Sequence, residues 1–168
     1  MKTIILVVAL IATVFMQTTL AQDTTKQSLQ MVITDYLNLK NALTKDNGDT
    51  VLIAAYSLSA ELKNVSMEIF SSDQKKIWLQ YSDVLTKYAS NIGSTTDISK
   101  QREQFKNLSS NFYELLKGME INTIDLFYQY CPMADAYWIS EKSKIANPYY
   151  GKKMLTCGST KETLKANK

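Results

Sequence analysis

The sequence predicts an all-α fold, an up-and-down four-helix bundle carrying an irregular, aromatic-rich C-terminal cap. Three observations predict it. Four successive segments repeat their apolar residues at helical spacing, and none contains an internal proline. The connections between them are only a few residues long, which makes sequential neighbours antiparallel. After Gly118 the helical stripe disappears and aromatics mix with Pro132, Asn147-Pro148 and Gly151.

The first helix is expected from about Thr25 to Lys45, with Leu29, Val32, Ile33, Tyr36, Leu37 and Leu43 on one stripe. Asn47-Gly48 is expected to stop it, both residues tolerating the left-handed conformation of a helix end. Asp49 then caps a second helix through about Val65, whose Val51, Ala55, Leu58, Leu62 and Val65 form a bundle-like seam. Ser71 and Gln74 form a capping box for the third, in which each side chain satisfies an orphaned backbone donor. Its buried face is Ile77, Trp78, Tyr81, Val84, Leu85 and Tyr88, and Ile92-Gly93 ends it. The fourth starts near Asp97 or Ser99 and carries Ile98, Phe105, Leu108, Phe112, Leu115 and Met119. A strand-like stretch from Leu126 to Tyr130 leads into an irregular cap or β-hairpin spanning 120–158, and a last polar helix is expected from Thr160 onward.

Ahead of the bundle, residues 1–21 read as an export signal. Lys2 gives a positive start, Ile4 to Phe15 is almost unbroken apolar chain, and Thr19 and Ala21 are small residues at the −3 and −1 positions of a cleavage site. The apolar run is shorter than the roughly 20 residues that cross a bilayer. The expectation is therefore a cleaved signal peptide and an exported single domain over 22–168 with no membrane span after processing. Removing Lys2 leaves 18 basic residues of the original 19 against 16 acidic. That balance is too even and too interspersed to argue for a nucleic-acid partner.

The chain has no histidine, which excludes Ser-His-Asp and Cys-His catalysis and imidazole-based zinc sites. No Gly-rich phosphate loop is present either. No carboxylate pair stands out for acid–base work, so a binding module is expected and not an enzyme.

Both cysteines fall in the cap, each with a methionine close by. In Cys131-Pro132-Met133 the extended chain around proline turns residues two apart to the same side. In Met154-Leu155-Thr156-Cys157 a spacing of three is one helical turn. Cys131, Met133, Met154 and Cys157 thus make a candidate set of two thiolates and two thioethers, soft ligands suited to Cu(I) or Ag(I). Two cysteines in an exported protein also pair by default. A Cys131–Cys157 bridge would close about 27 residues and stabilise the fold by roughly 3.5 kcal/mol. Free, buried thiols are the third possibility. Tyr130, Trp138, Tyr149 and Tyr150 cluster around these sulfurs in sequence and are candidates to line a pocket.

Several blocks carry a family resemblance. They are Tyr128 to Ala134, Tyr137 to Ser140, Ile145 to Gly151 and Met154 to Gly158, with Tyr36 to Leu43 and Gln101 to Ser109 in the helical part. Together they resemble the uncharacterised bacterial domain-of-unknown-function family three-three-four-seven. That family occurs as stand-alone exported proteins and fused to periplasmic adaptor subunits of heavy-metal efflux pumps. The resemblance implies copper or silver handling and an efflux adaptor as partner. Tyr130-Cys131-Pro132-Met133 is also similar to the Tyr-x-Cys-Pro-Met-His core of small heavy-metal-binding domains on such pumps, one residue out of register. Ala134 stands where that core has its histidine.

Overall fold

The computed structural model describes residues 25–167, so the expected signal peptide lies outside the described residues. Within them are four helices followed by a small antiparallel sheet. Helix α1 occupies 25–43, α2 Gly48–Asn64, α3 Ser72–Gly93 and α4 Ile98–Met119. Strands β1 (Leu126–Cys131), β2 (Ala136–Ser140) and β3 (Ser159–Leu164) follow, with a 3-10 turn at Gly151–Lys153. No described helix is long and apolar enough to cross a membrane.

The helices form where the periodicity places them. Val51, Ala55, Leu58 and Leu62 of α2 are buried, as are Trp78 and Leu85 of α3 and Phe105, Leu108, Phe112, Leu115 and Met119 of α4. Ser71 and Gln74 make the reciprocal capping box, and the Asp97 carboxylate caps α4 through the N–H groups of Ser99 and Lys100. Helices α2 and α3 pack together, as do α3 and α4. Helix α1 joins α4 through Tyr36, which stacks on both Phe105 and Phe112.

The α1–α2 corner differs from expectation. Asp46, with φ 60°, is the left-handed residue, while Asn47 is extended and caps α2 by accepting from Thr50 N–H. Asp49 lies inside the first turn of α2. Gly48 is needed for space: a Cβ there would stand 1.9 Å from the Thr96 carbonyl oxygen.

The protein is not all-α. Strand order is β2-β1-β3, both pairings antiparallel. The hairpin opposes Tyr130 to Tyr137, Gln129 to Trp138 and Cys131 to Ala136. The segment expected to be a last polar helix is β3, because β1 offers it a free edge and the ladder satisfies its backbone groups. A register shift between Tyr128 and Gln129 marks a bulge in that pairing.

Strand alternation divides the sheet into two faces. Leu126, Tyr128, Tyr130, Tyr137 and Ile139 share one, and Tyr128 stacks there on Tyr113 of α4. Gln129, Cys131, Ala136 and Trp138 share the other. Residues 141–158 cover this second face. The Gln129 amide donates to the carbonyls of Lys142 and Ser143, and the Asn147 side chain reaches Cys131.

Two buried polar contacts join sheet to helices. The Tyr36 hydroxyl accepts from Ile139 N–H at 3.0 Å and bonds the Ser109 hydroxyl, with Tyr36 and Ser109 both fully buried. Lys40, 1% exposed, donates to Glu141 at 2.8 Å and to Asn41 at 2.7 Å.

Candidate functional site

Cys131 is the last residue of β1 and is fully buried. The turn of Pro132 to Asp135 that follows it folds back, aiming the N–H groups of Met133 and Ala134 at its sulfur. Asp135 takes the left-handed conformation, φ 45°, that brings the chain into β2. Cys157 lies two residues before β3 and is half-buried. Since β3 pairs Ser159 with Tyr130, the ladder brings the second cysteine beside the first. The two sulfurs lie 3.6 Å apart, unbonded. A disulfide needs about 2.05 Å.

Gly158 makes this approach possible. Its φ is 142°, and a Cβ would stand 2.8 Å from both the Trp138 ring and the Tyr130 carbonyl oxygen. Any side chain there pushes Cys157 off the sheet.

The thiols are electrostatically unequal. Burial pushes the Cys131 thiol up, but hydrogen bonds from Ala134 N–H, the Asn147 amide, the Cys157 thiol and Met133 N–H outweigh it. The net is a pKa below the ordinary thiol value. Cys157 is raised, first because its thiol donates to Cys131 and second by burial. Of the two, Cys131 is therefore the thiol that gives up its proton first.

Asn147 organises the site; the sequence marked it by its Asn-Pro turn signal and within the Ile145 to Gly151 block, not as a site residue. It is fully buried. Its Nδ2 donates to the Cys157 carbonyl at 2.8 Å, and its Oδ1 accepts from Tyr149 N–H at 2.8 Å and Tyr150 N–H at 3.2 Å, an Asx turn. Its backbone N–H bonds the Leu155 carbonyl at 2.8 Å. One side chain therefore links Cys131, Cys157 and the loop between them.

The thioethers are placed less centrally. Met133 stands on the hairpin turn, 59% exposed. Met154 is half-buried, and its carbonyl accepts from Cys157 N–H at 3.0 Å. The fold brings the two thiols together and leaves the methionines flanking them along the chain. Among the described residues, no group of three or more His, Cys, Asp or Glu could hold a metal ion.

The four aromatics occupy different places. Trp138 is fully buried on the thiol face and meets Tyr149 edge to face, centroids 6.0 Å apart. Tyr149 donates to the Tyr137 carbonyl, and burial raises its phenol well above the usual value. Tyr150 donates to the Met133 carbonyl at 3.2 Å, tying the hairpin turn to the loop. Tyr130 lies on the opposite face from Cys131, where it pairs with Tyr137 and donates to Asp135 at 2.9 Å. Ala134, Tyr149 and Tyr150 line a shallow groove of about 420 Å³ with Arg102, Lys106 and Lys153. Arg102 anchors the loop by donating to the Pro148 carbonyl at 2.8 Å and by pairing with Asp46.

A family model described as protein of unknown function (DUF3347) matches residues 32–123. The matched residues run from α1 to just before β1, so the thiol-bearing hairpin lies beyond them. No curated protein and no solved structure matches the chain.

Proposed function

The chain belongs to the DUF3347 family of proteins of unknown function, and from that premise we propose that it is an exported binding module for a soft monovalent cation, Cu(I) or Ag(I). The observation that carries this reading is the 3.6 Å separation of the Cys131 and Cys157 sulfurs. A metal about 2.3 Å from each sulfur would see them at an angle of about 100°. That angle suits a chelating dithiolate with coordination positions left for thioethers, and Met133 and Met154 are the neighbours that would fill them. The donors around Cys131 favour the thiolate the metal needs. Soft ligands without imidazole select copper(I) or silver over zinc. The half-buried Cys157 is where cargo would enter or leave, and Cys131 is the anchor. In this role the protein resides in the periplasm, passes its ion to or from an efflux adaptor, and catalyses nothing.

The same proximity supports a second reading, a Cys131–Cys157 disulfide that staples an interaction module without metal. Competition of the reduced protein against a chromophoric chelator separates the two. Metal binding requires uptake of one Cu(I), its loss in Cys131→Ser, and weaker uptake in Met133→Leu and Met154→Leu. Failure of the reduced protein to compete, or a double methionine variant that binds as tightly as the parent, overturns it and leaves the staple.

A further inference from the structure

The chain around the thiol pair carries charge of one sign. Residues 131–161 hold five lysines, Lys142, Lys144, Lys152, Lys153 and Lys161, against Asp135 and Glu141. Both acids are engaged. Glu141 pairs with the buried Lys40 at 2.8 Å, and Asp135 accepts the Tyr130 hydroxyl at 2.9 Å. All five lysines are exposed, and none of them pairs with a carboxylate among the described residues. Elsewhere on the surface, exposed Lys76 and Lys165 sit against Asp73 and Asp125.

The groove of about 420 Å³ beside this loop continues the pattern. Arg102 is matched by Asp46, which leaves Glu103 as the groove's own acid against Lys106 and Lys153. Ala134, Tyr149 and Tyr150 give it an apolar lining. Both sides of the groove hold the turn that follows Cys131: Lys106 of α4 donates to the Ala134 carbonyl at 3.3 Å, and Tyr150 of the loop to the Met133 carbonyl at 3.2 Å. Between Leu126 and Asn167 the large apolar side chains left exposed are Met133 and Leu155. One stands two residues after Cys131 and the other two before Cys157.

Unmatched like charges repel one another and are relieved by an opposite surface. Exposed apolar side chains inside a charged rim are the anatomy of a protein interface. The concavity decides between partners, because a flat layer of lipid headgroups meets protruding lysines but does not enter a groove. We propose that this face docks an acidic segment of a partner protein. Its carboxylates lie against Lys106 and Lys153, and an apolar side chain between them rests on Tyr149 and Tyr150. Lys142, Lys144 and Lys152 steer the segment in by long-range attraction. The inference goes beyond the metal reading, since none of the groove residues is a thiol or a thioether.

The test uses reduced, metal-free mature protein, so that its outcome is separate from Cu(I) uptake. The probe is a synthetic peptide repeating two glutamates and a leucine, followed through the protein's backbone amide spectrum. Shifts should be confined to residues 131–135, the groove side of α4 and the 141–158 loop. Lys106→Glu/Lys153→Glu should weaken binding about tenfold, and added salt should weaken it in the parent. Glu103→Gln should tighten it, and Lys63→Glu/Lys75→Glu, on the bundle, should leave it unchanged. If circular dichroism shows that the double glutamate variant is unfolded, Lys106→Gln/Lys153→Gln should still bind more weakly than the parent. Absence of binding, shifts spread over the bundle lysines, or equal affinity for a peptide with serine in place of leucine overturns the proposal. Sedimentation of the protein with vesicles of phosphatidylglycerol and phosphatidylcholine, while the peptide leaves the spectrum unchanged, overturns it in favour of a membrane surface.

Discussion

Cys131 and Cys157 lie 3.6 Å apart in unequal surroundings: hydrogen bonds hold the Cys131 thiol below its ordinary value, and contact with Cys131 holds the Cys157 thiol above it. Titration of the reduced protein, followed by thiolate absorbance, should therefore show two steps on either side of the ordinary thiol value. Cys157→Ala removes one donor to Cys131 and should move the first step upward. Two coincident steps in the parent would mean that the sulfurs do not interact.

Asn147→Ala should unfasten the loop. It removes the Asx turn, the bond to the Cys157 carbonyl and one donor to Cys131. With several buried groups left unpaired at about 1 to 3 kcal/mol each, the loss should exceed about 2 kcal/mol in denaturant unfolding. Cys131 should also react faster with an alkylating reagent. Unchanged reactivity would show that Asn147 is not what closes the site.

Tyr36→Phe keeps the stacks on Phe105 and Phe112 but leaves Ile139 N–H buried without its partner, while Ser109 retains its bond to Tyr149. The expected cost is about 1 to 3 kcal/mol. A neutral result would mean that the helix–sheet junction does not depend on this bond.

The Lys40–Glu141 pair should respond asymmetrically. Lys40 is deeply buried, whereas the Glu141 side chain keeps 22% exposure. Glu141→Gln strands a buried ammonium and should cost about 3 kcal/mol. Lys40→Met fills the same space without charge and should cost less. Equal losses would contradict this ordering.

Acid should unfold the protein through the same group. Burial pushes the Glu141 carboxyl up, but the hydrogen bonds and charge of Lys40 and the Asn41 amide hold it below its ordinary 4.5. Asp46 is likewise held down, burial being outweighed by Arg102 and Lys152 N–H. Carboxylates with depressed folded values add stability that is fully present above their unfolded values. It is lost as pH falls through the folded ones. Stability should be level from neutral pH to about 5 and decline below, less steeply in Glu141→Gln.

The helices were legible because each signal was local. A stripe such as Val51, Ala55, Leu58 and Leu62, or the Ser71–Gln74 box, lies within one or two turns and needs no partner to be recognised. The β1 strand was visible as pattern, and Cys131 and Cys157 as candidates to meet. What remained hidden depended on distant chain. Polar Ser159–Leu164 carries no strand signal of its own and becomes β3 because β1 presents unpaired backbone groups. Asn147 and Lys40 look like ordinary turn and surface residues until the loop and sheet bury them.

By itself, then, the sequence determined the four helices, the capping box at Ser71, and the histidine-free composition of the cap with its two cysteines and neighbouring methionines, since composition and periodicity are properties of the chain. The tertiary structure alone decided which sulfurs converge, which of them the hydrogen-bond donors surround, and that Tyr130 faces away from Cys131 on the sheet face that meets α4. Those outcomes turn on strand register and on hydrogen-bond donors supplied by residues far apart in sequence, and register is fixed only when the sheet closes against the bundle.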